Sequence, residues 1–180
     1  MGPIRLQMPK EMFTPAEFKR YEEDASIEFI KAGPDLYEFT GPVHWQADIT
    51  NTGGALLVTG MVEGEVKCSC ARCLEEMSFP ITGEIEGYYI INPEDAAPDE
   101  MEEDEFDVLP EDKTIDMAPL IQAAILLELP NVPVCSDDCK GLCHKCGANL
   151  NEGDCGCTSE DKEIPAENPF SVLKNFDFGE

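Results

Sequence analysis

Positive charge is scarce in this sequence: 12 Lys and Arg stand against 38 Asp and Glu, a formal balance of −26. Proteins meet a phosphate backbone with clustered Lys and Arg, so direct nucleic-acid binding is disfavoured and a basic partner is favoured. Histidine is nearly missing, His44 and His144 being the only two. Catalytic zinc usually has His or Glu ligands and an open position, and no supported nucleophile or phosphate-cradling glycine loop is found either. The expectation is a protein that is not an enzyme. No run reaches the roughly 20 apolar residues that cross a bilayer, and Met1 to Lys10 lacks the apolar stretch of a secretory signal. Pro3 and Leu6 do not fit a myristoylated start. The expected location is the cytoplasm, without membrane attachment.

What is present is enough for a core: 180 residues, 42 % of them apolar, read as one domain with a small appendage. Ile4 to Asp35 is mixed and charged, with Ile27, Phe29 and Leu36 as its core candidates and one short strand near Ile27 to Ile30. Period-two alternation then takes over. Val43, Trp45, Ala47 and Ile49 oppose His44, Gln46, Asp48 and Thr50, and a turn cluster follows at Asn51 to Gly54. Ala55 to Cys68 continues as strand with Gly60 and Gly64 as a bulge or bend, and Met77, Phe79, Ile81, Ile85, Tyr89 and Ile91 share one side of a third long run. The fold class is α+β: an antiparallel β-meander packed with one buried apolar helix, plus a small cysteine-rich zinc ribbon.

The domain reading is a β-rich body over 1–134, a zinc-binding ribbon over 135–157 and a C-terminal tail over 158–180 with a short docking helix at Asn168 to Phe178. Glu94 to Asp112 holds 11 acids and no base. Such a stretch cannot bury enough apolar surface to pack, which predicts a mobile loop, either a solubility device or a docking strip for a basic protein. Asp116 to Leu129 reads as a helix capped by Asp116, with Pro119 in its first turn and Pro130 as its stop. With only Gln122 and Glu128 polar after Met117, it is expected to be covered nearly all round, by the sheet face or in part by a partner.

Nine cysteines remain, and their close spacing with no export signal favours metal over disulfides. Residues 135–157 carry six of them and almost no apolar material. Ordering this segment costs about 1.5 kcal/mol per residue, far more than a few small apolar groups return, whereas structural Zn²⁺ contributes about 10–16 kcal/mol in small peptides. Cys143-His144-Lys145-Cys146-Gly147 has the form of a zinc knuckle. Four pairs, Cys70 with Cys73, Cys135 with Cys139, Cys143 with Cys146 and Cys155 with Cys157, make two Cys₄ sites for two zinc ions. The most local joining sets Cys143, Cys146, Cys155 and Cys157 together and leaves Cys70, Cys73, Cys135 and Cys139. Closing the longer loop costs only about 1.8 kcal/mol more than the shorter one, so entropy does not decide the pairing. Cys68 is left over and reads as a plain thiol rather than a ligand. His144 reads as an exposed knuckle residue and His44 as an outward strand residue. Arg72 reads as a support of the first sulfur site.

In these elements the chain resembles the YceD-like family, the large ribosomal RNA subunit accumulation proteins of bacteria and plastids. The resemblance rests on Cys70-Ala71-Arg72-Cys73-Leu74-Glu75, an acidic stretch, Ile115-Asp116 opening the helix that ends Leu127-Glu128-Leu129-Pro130, the block Cys135 to Cys157, and Asn168-Pro169-Phe170-Ser171-Val172-Leu173. It implies a non-enzymatic factor for large-subunit ribosomal RNA accumulation and ribosome biogenesis. The charge adds a basic ribosomal or assembly protein as partner. The alternative is a zinc-ribbon adaptor in transcription or RNA decay.

Overall fold

A computed structural model of the chain describes residues 2–92 and 106–157. In chain order its elements are β1 (Arg5–Gln7), a 3-10 turn (Lys10–Phe13), β2 (Phe18–Ala25), β3 (Phe29–Ala32), β4 (Asp35–Phe39), β5 (Val43–Asn51), β6 (Ala55–Ser69), β7 (Glu76–Ile90), β8 (Asp107–Val108), β9 (Thr114–Asp116) and α1 (Met117–Glu128). The central strand is β6. Antiparallel β7 runs along its whole length, from Ala55 opposite Ile90 to Ser69 opposite Glu76. Its other edge is shared by β5, as far as Glu63, and by β4 at Val66 and Lys67. Beyond β5 lies β2, beyond β4 lies β3, and β8 adds a short parallel pairing at the end of β7.

The alternation of β5 to β7 builds one core face. Val43, Trp45, Ala47, Ile49, Val58, Val62, Val66, Ile81 and Ile85 are all buried on it, and each large apolar side chain so buried stabilises by about 1.5–3 kcal/mol. Gly60 and Gly64 make no bulge, because the register passes through both unbroken. At Gly60 a Cβ would run into the Gln46 carbonyl oxygen and stand 2.8 Å from the Ala47 Cα. Its role is close strand approach.

α1 covers this face. The Asp116 carboxylate accepts from Ala118 N at 3.0 Å and from Ile4 N at 2.9 Å, so the helix cap also pins the N-terminal strand. β1 and β9 pair beside it. The helix buries Met117, Ala118, Ile121, Ala124 and Ile125, and it approaches β7 closely because Gly83 has no side chain: a Cβ there would lie 2.5 Å from the Ala124 carbonyl oxygen. Cover on all sides is not observed. Leu126 and Leu127 face solvent, Leu127 at 83 % exposure.

The charged N-terminal segment holds more strand than the single short one expected. β2 forms because β5 offers it a full antiparallel partner, from Phe18 opposite Thr50 to Ala25 opposite Val43. Of the three core candidates there, Ile27 is buried, whereas Phe29 and Leu36 are exposed at 51 % and 41 %. In the β3–β4 hairpin the inward positions are Ile30 and Tyr37 instead. A one-residue change of parity reverses which side chain a strand buries. The acidic stretch also packs at its end: Asp107 and Val108 pair with β7, and Leu109 is buried. The rest of that stretch up to residue 105, and the docking turn expected after 158, lie outside the described residues. No helix among the described residues is long and apolar enough to cross a membrane.

Candidate metal centres

The β6–β7 hairpin is closed by Cys70 to Glu75, so the first cysteine pair sits at the tip of the longest hairpin of the fold. Cys70 N donates to the Glu75 carbonyl at 2.8 Å and Leu74 N to the Cys70 carbonyl at 2.9 Å. The second pair arrives from α1. Tyr37 donates its hydroxyl to the Pro130 carbonyl at 2.9 Å, and Ala71 N donates to the Pro133 carbonyl at 2.8 Å. These contacts lead the chain from the helix onto the hairpin tip. There Cys70, Cys73, Cys135 and Cys139 bring their sulfurs within 4.8 Å of one another. Cys143, Cys146, Cys155 and Cys157 do the same in a second group.

Packing therefore selects the local pairing that loop entropy left open. In the first group Cys73 Sγ lies 3.7 Å from Cys135 Sγ and Cys70 Sγ lies 3.9 Å from Cys139 Sγ. A tetrahedral ion with metal–sulfur bonds of about 2.3 Å needs sulfurs about 3.8 Å apart, so this set fits such an ion. Cys70, Cys73 and Cys139 are buried, with Met77, Val134 and Leu142 packed around them. Cys68 joins the main apolar core and neither sulfur group. Burial pushes its thiol up, as expected of an inert cysteine.

Both groups are built on one local device. Arg72 N points at Cys70 Sγ from 3.4 Å, and Lys145 N at Cys143 Sγ from 3.5 Å. The residue four places after the first cysteine returns its N–H to that cysteine's carbonyl in each case, Leu74 to Cys70 and Gly147 to Cys143. That residue is left-handed both times, with φ of 63° at Leu74 and 74° at Gly147. Backbone N–H groups favour thiolate, led by Cys73 at Cys70 and by Cys146 at Cys143, and hold both lead cysteines down at about 6. Thiols crowded against them go the other way: Cys139 and Cys73 push Cys135 up to about 12, and Cys146 and Cys155 push Cys157 up to about 12. Four thiolates cannot share so small a volume alone, and a divalent cation removes that repulsion. Only cysteines make up either group.

Asn151 links the two groups. It lies in the loop between Cys146 and Cys155, yet its side chain donates to Cys139 Sγ at 3.4 Å and accepts from Lys140 N at 2.8 Å. Arg72 adds a clamp as expected, its guanidinium donating to the Cys139 and Asp137 carbonyls at 3.0 and 3.3 Å. Sequence reasoning missed Asn151 and Leu74. Two asparagines in a tight cysteine loop were the available signal for the first: the Asn149 side chain accepts from Asn151 N at 3.0 Å in an Asx turn, which leaves the Asn151 amide for Cys139. Repetition of the knuckle was the signal for the second. His144 is exposed, and His44 is exposed with Nδ1 2.9 Å from Asp24.

A family profile described as large ribosomal RNA subunit accumulation protein YceD matches residues 58–177. An uncharacterised protein of Mycobacterium tuberculosis is 37 % identical over 105 residues, 57 % of this chain and 48 % of that protein. A chloroplastic large ribosomal RNA subunit accumulation protein YCED homolog 1 of Zea mays is 28 % identical over 154 residues, 72 % of this chain and 52 % of that protein. Its namesake in Arabidopsis thaliana is 43 % identical over 61 residues, 34 % of this chain and 19 % of that protein. The chain spans about half the length of most of the curated relatives it matches, or less. No solved structure matches it.

Proposed function

Since the chain belongs to the YceD family of large ribosomal RNA subunit accumulation proteins, we propose that it is a non-enzymatic factor of ribosome biogenesis that binds a basic ribosomal or assembly protein. Zn²⁺ in both tetrads is part of this reading. An all-thiolate set that holds zinc is a closed structural site, in which the ion holds loops together and leaves no position for a substrate. Cys70, Cys73, Cys135 and Cys139 would fasten the chain after α1 to the hairpin tip. Cys143, Cys146, Cys155 and Cys157 would close the terminal ribbon.

The outer face of the sheet carries the partner reading. Glu22, Asp24, Glu63, Glu65, Glu84 and Glu86 are exposed there. Arg20 and Lys67 share the face, but each is already in an ion pair, Arg20 with Asp48 at 2.6 Å and Lys67 with Glu38 at 3.3 Å. A face left so acidic steers basic proteins in and RNA away. Capture of purified basic ribosomal proteins by the full chain, measured across a salt series, tests this. Binding that weakens when Glu63, Glu84 and Glu86 become Gln supports it. RNA binding that tightens on the same exchange, with no protein captured, would favour the adaptor of transcription or RNA decay.

A further inference from the structure

A cleft of about 410 Å³ opens between β8, β9 and the first turn of α1, at the end of β7 opposite the hairpin tip. Arg5, Tyr89, Asp107, Asp112, Asp116 and Leu120 line it, three carboxylates against one guanidinium. Two of the carboxylates are already in use. Asp116 caps α1 and holds Ile4 N, and Asp112 accepts from Thr114 N at 3.1 Å. Asp107 pairs with β7 through its backbone, and its carboxylate takes no hydrogen bond or ion pair among the described residues. Tyr89 is the second, independent feature. It is only 8 % exposed, and its hydroxyl meets no hydrogen-bond partner among the described residues. Burial, with the charges of Asp107 and Asp116, pushes the phenol up to about 12, so it is neutral with a lone pair to offer.

The Tyr89 hydroxyl is not one of the buried unpartnered atoms, so it opens onto the cleft and water serves it until a ligand takes that place. A ligand that displaces this water must bring N–H donors and positive charge, with an apolar stem to lie against Leu120 and Val108. We propose that this cleft seats an arginine side chain of a basic protein partner, its guanidinium donating to the Asp107 carboxylate and to the Tyr89 hydroxyl oxygen. A planar guanidinium with five donors can serve both acceptors at once, which a lysine ammonium does less well. Arg5, exposed at the rim, opposes the incoming charge. The proposal rests on the reading of the chain as a binder of a basic protein and names one contact point for it.

The test is an amide NMR titration of the full chain with a blocked hexa-arginine peptide at physiological salt. Shifts should centre on Tyr89, Asp107 and Leu120. Asp107→Asn should weaken binding roughly tenfold and Tyr89→Phe about threefold, whereas Arg5→Ala should tighten it. The unperturbed spectrum of each variant shows whether it is folded. Shifts centred on Glu22, Glu63 and Glu84, or an affinity indifferent to Asp107→Asn and Arg5→Ala, would overturn the cleft. Capture of a ribosomal protein separates the two readings: undiminished capture by the Asp107→Asn chain defeats the cleft alone. A cleft filled by the peptide in a chain that captures no basic protein defeats the partner reading alone.

Discussion

The two sulfur groups share a knuckle and differ in everything around it. The first joins a hairpin tip to a segment more than 60 residues away and has three of its four cysteines buried. The second is drawn from 15 consecutive residues, and only Cys143 of its set is buried. Cys70 Sγ faces the N–H groups of Cys73 and Arg72 in its own turn and of the distant Cys135, and Cys139 Sγ faces Asn151, whereas the N–H groups at Cys143 Sγ, those of Cys146 and Lys145, come from its own turn. The same local chemistry therefore brings two distant segments together in one place and closes a single loop in the other. Ligand type alone says little about what a site holds in place. Burial and sequence separation say more.

The largest expected effect comes from breaking the first group. Cys139→Ser should free the chain from Pro130 onward from the hairpin tip, with hydrogen exchange rising throughout 130–157 and the β5–β7 sheet still protected. Cys157→Ser should raise exchange only over 143–157. A structural zinc is worth about 10–16 kcal/mol in isolated peptides, comparable to the about 5–15 kcal/mol of a whole domain, so the difference between the two variants should be plain in thermal unfolding. Equal effects would dissolve the contrast.

Asn151→Ala probes the link between the groups. Loss of a hydrogen bond behind a metal ligand typically costs about 10–100-fold in metal affinity, and a small value is expected because this donor is exposed. The loss should fall on the first group, although Asn151 sits in the loop of the second, and competition with a chromogenic chelator would show which ion leaves. The smallest effect belongs to Leu74→Gly. A left-handed L-residue costs about 1–2 kcal/mol, and glycine loses part of that relief as chain entropy. The variant should melt a little higher than the parent. A clear fall would mean that the exposed Leu74 side chain contributes packing that outweighs its strain.

β5, β6 and β7 were legible in the sequence because each buries a single face, and residue parity alone then fixes the core. β2 was not. Lys19, Glu22, Glu23 and Asp24 hide a strand that exists only because β5 pairs with it. Phe29 and Leu36 misled for a related reason, since aromatic and aliphatic side chains read as core wherever they stand, while the β3–β4 register turns Ile30 and Tyr37 inward. The Asp116 cap and all eight paired cysteines could be read directly from residue type and spacing. Their grouping could not, because loop closure depends only logarithmically on length. Contacts such as Ala71 N to the Pro133 carbonyl decide it, and those are tertiary.

Native mass spectrometry of the intact chain, purified without added metal, tests the central claim most directly. The account predicts two zinc ions per chain, with one retained after Cys139→Ser and one after Cys157→Ser. During chelator treatment of the parent chain, the ion of the exposed group should leave before that of the buried group. A single ion in the parent chain, or the loss of both ions from either single variant, would contradict two separate four-cysteine sites.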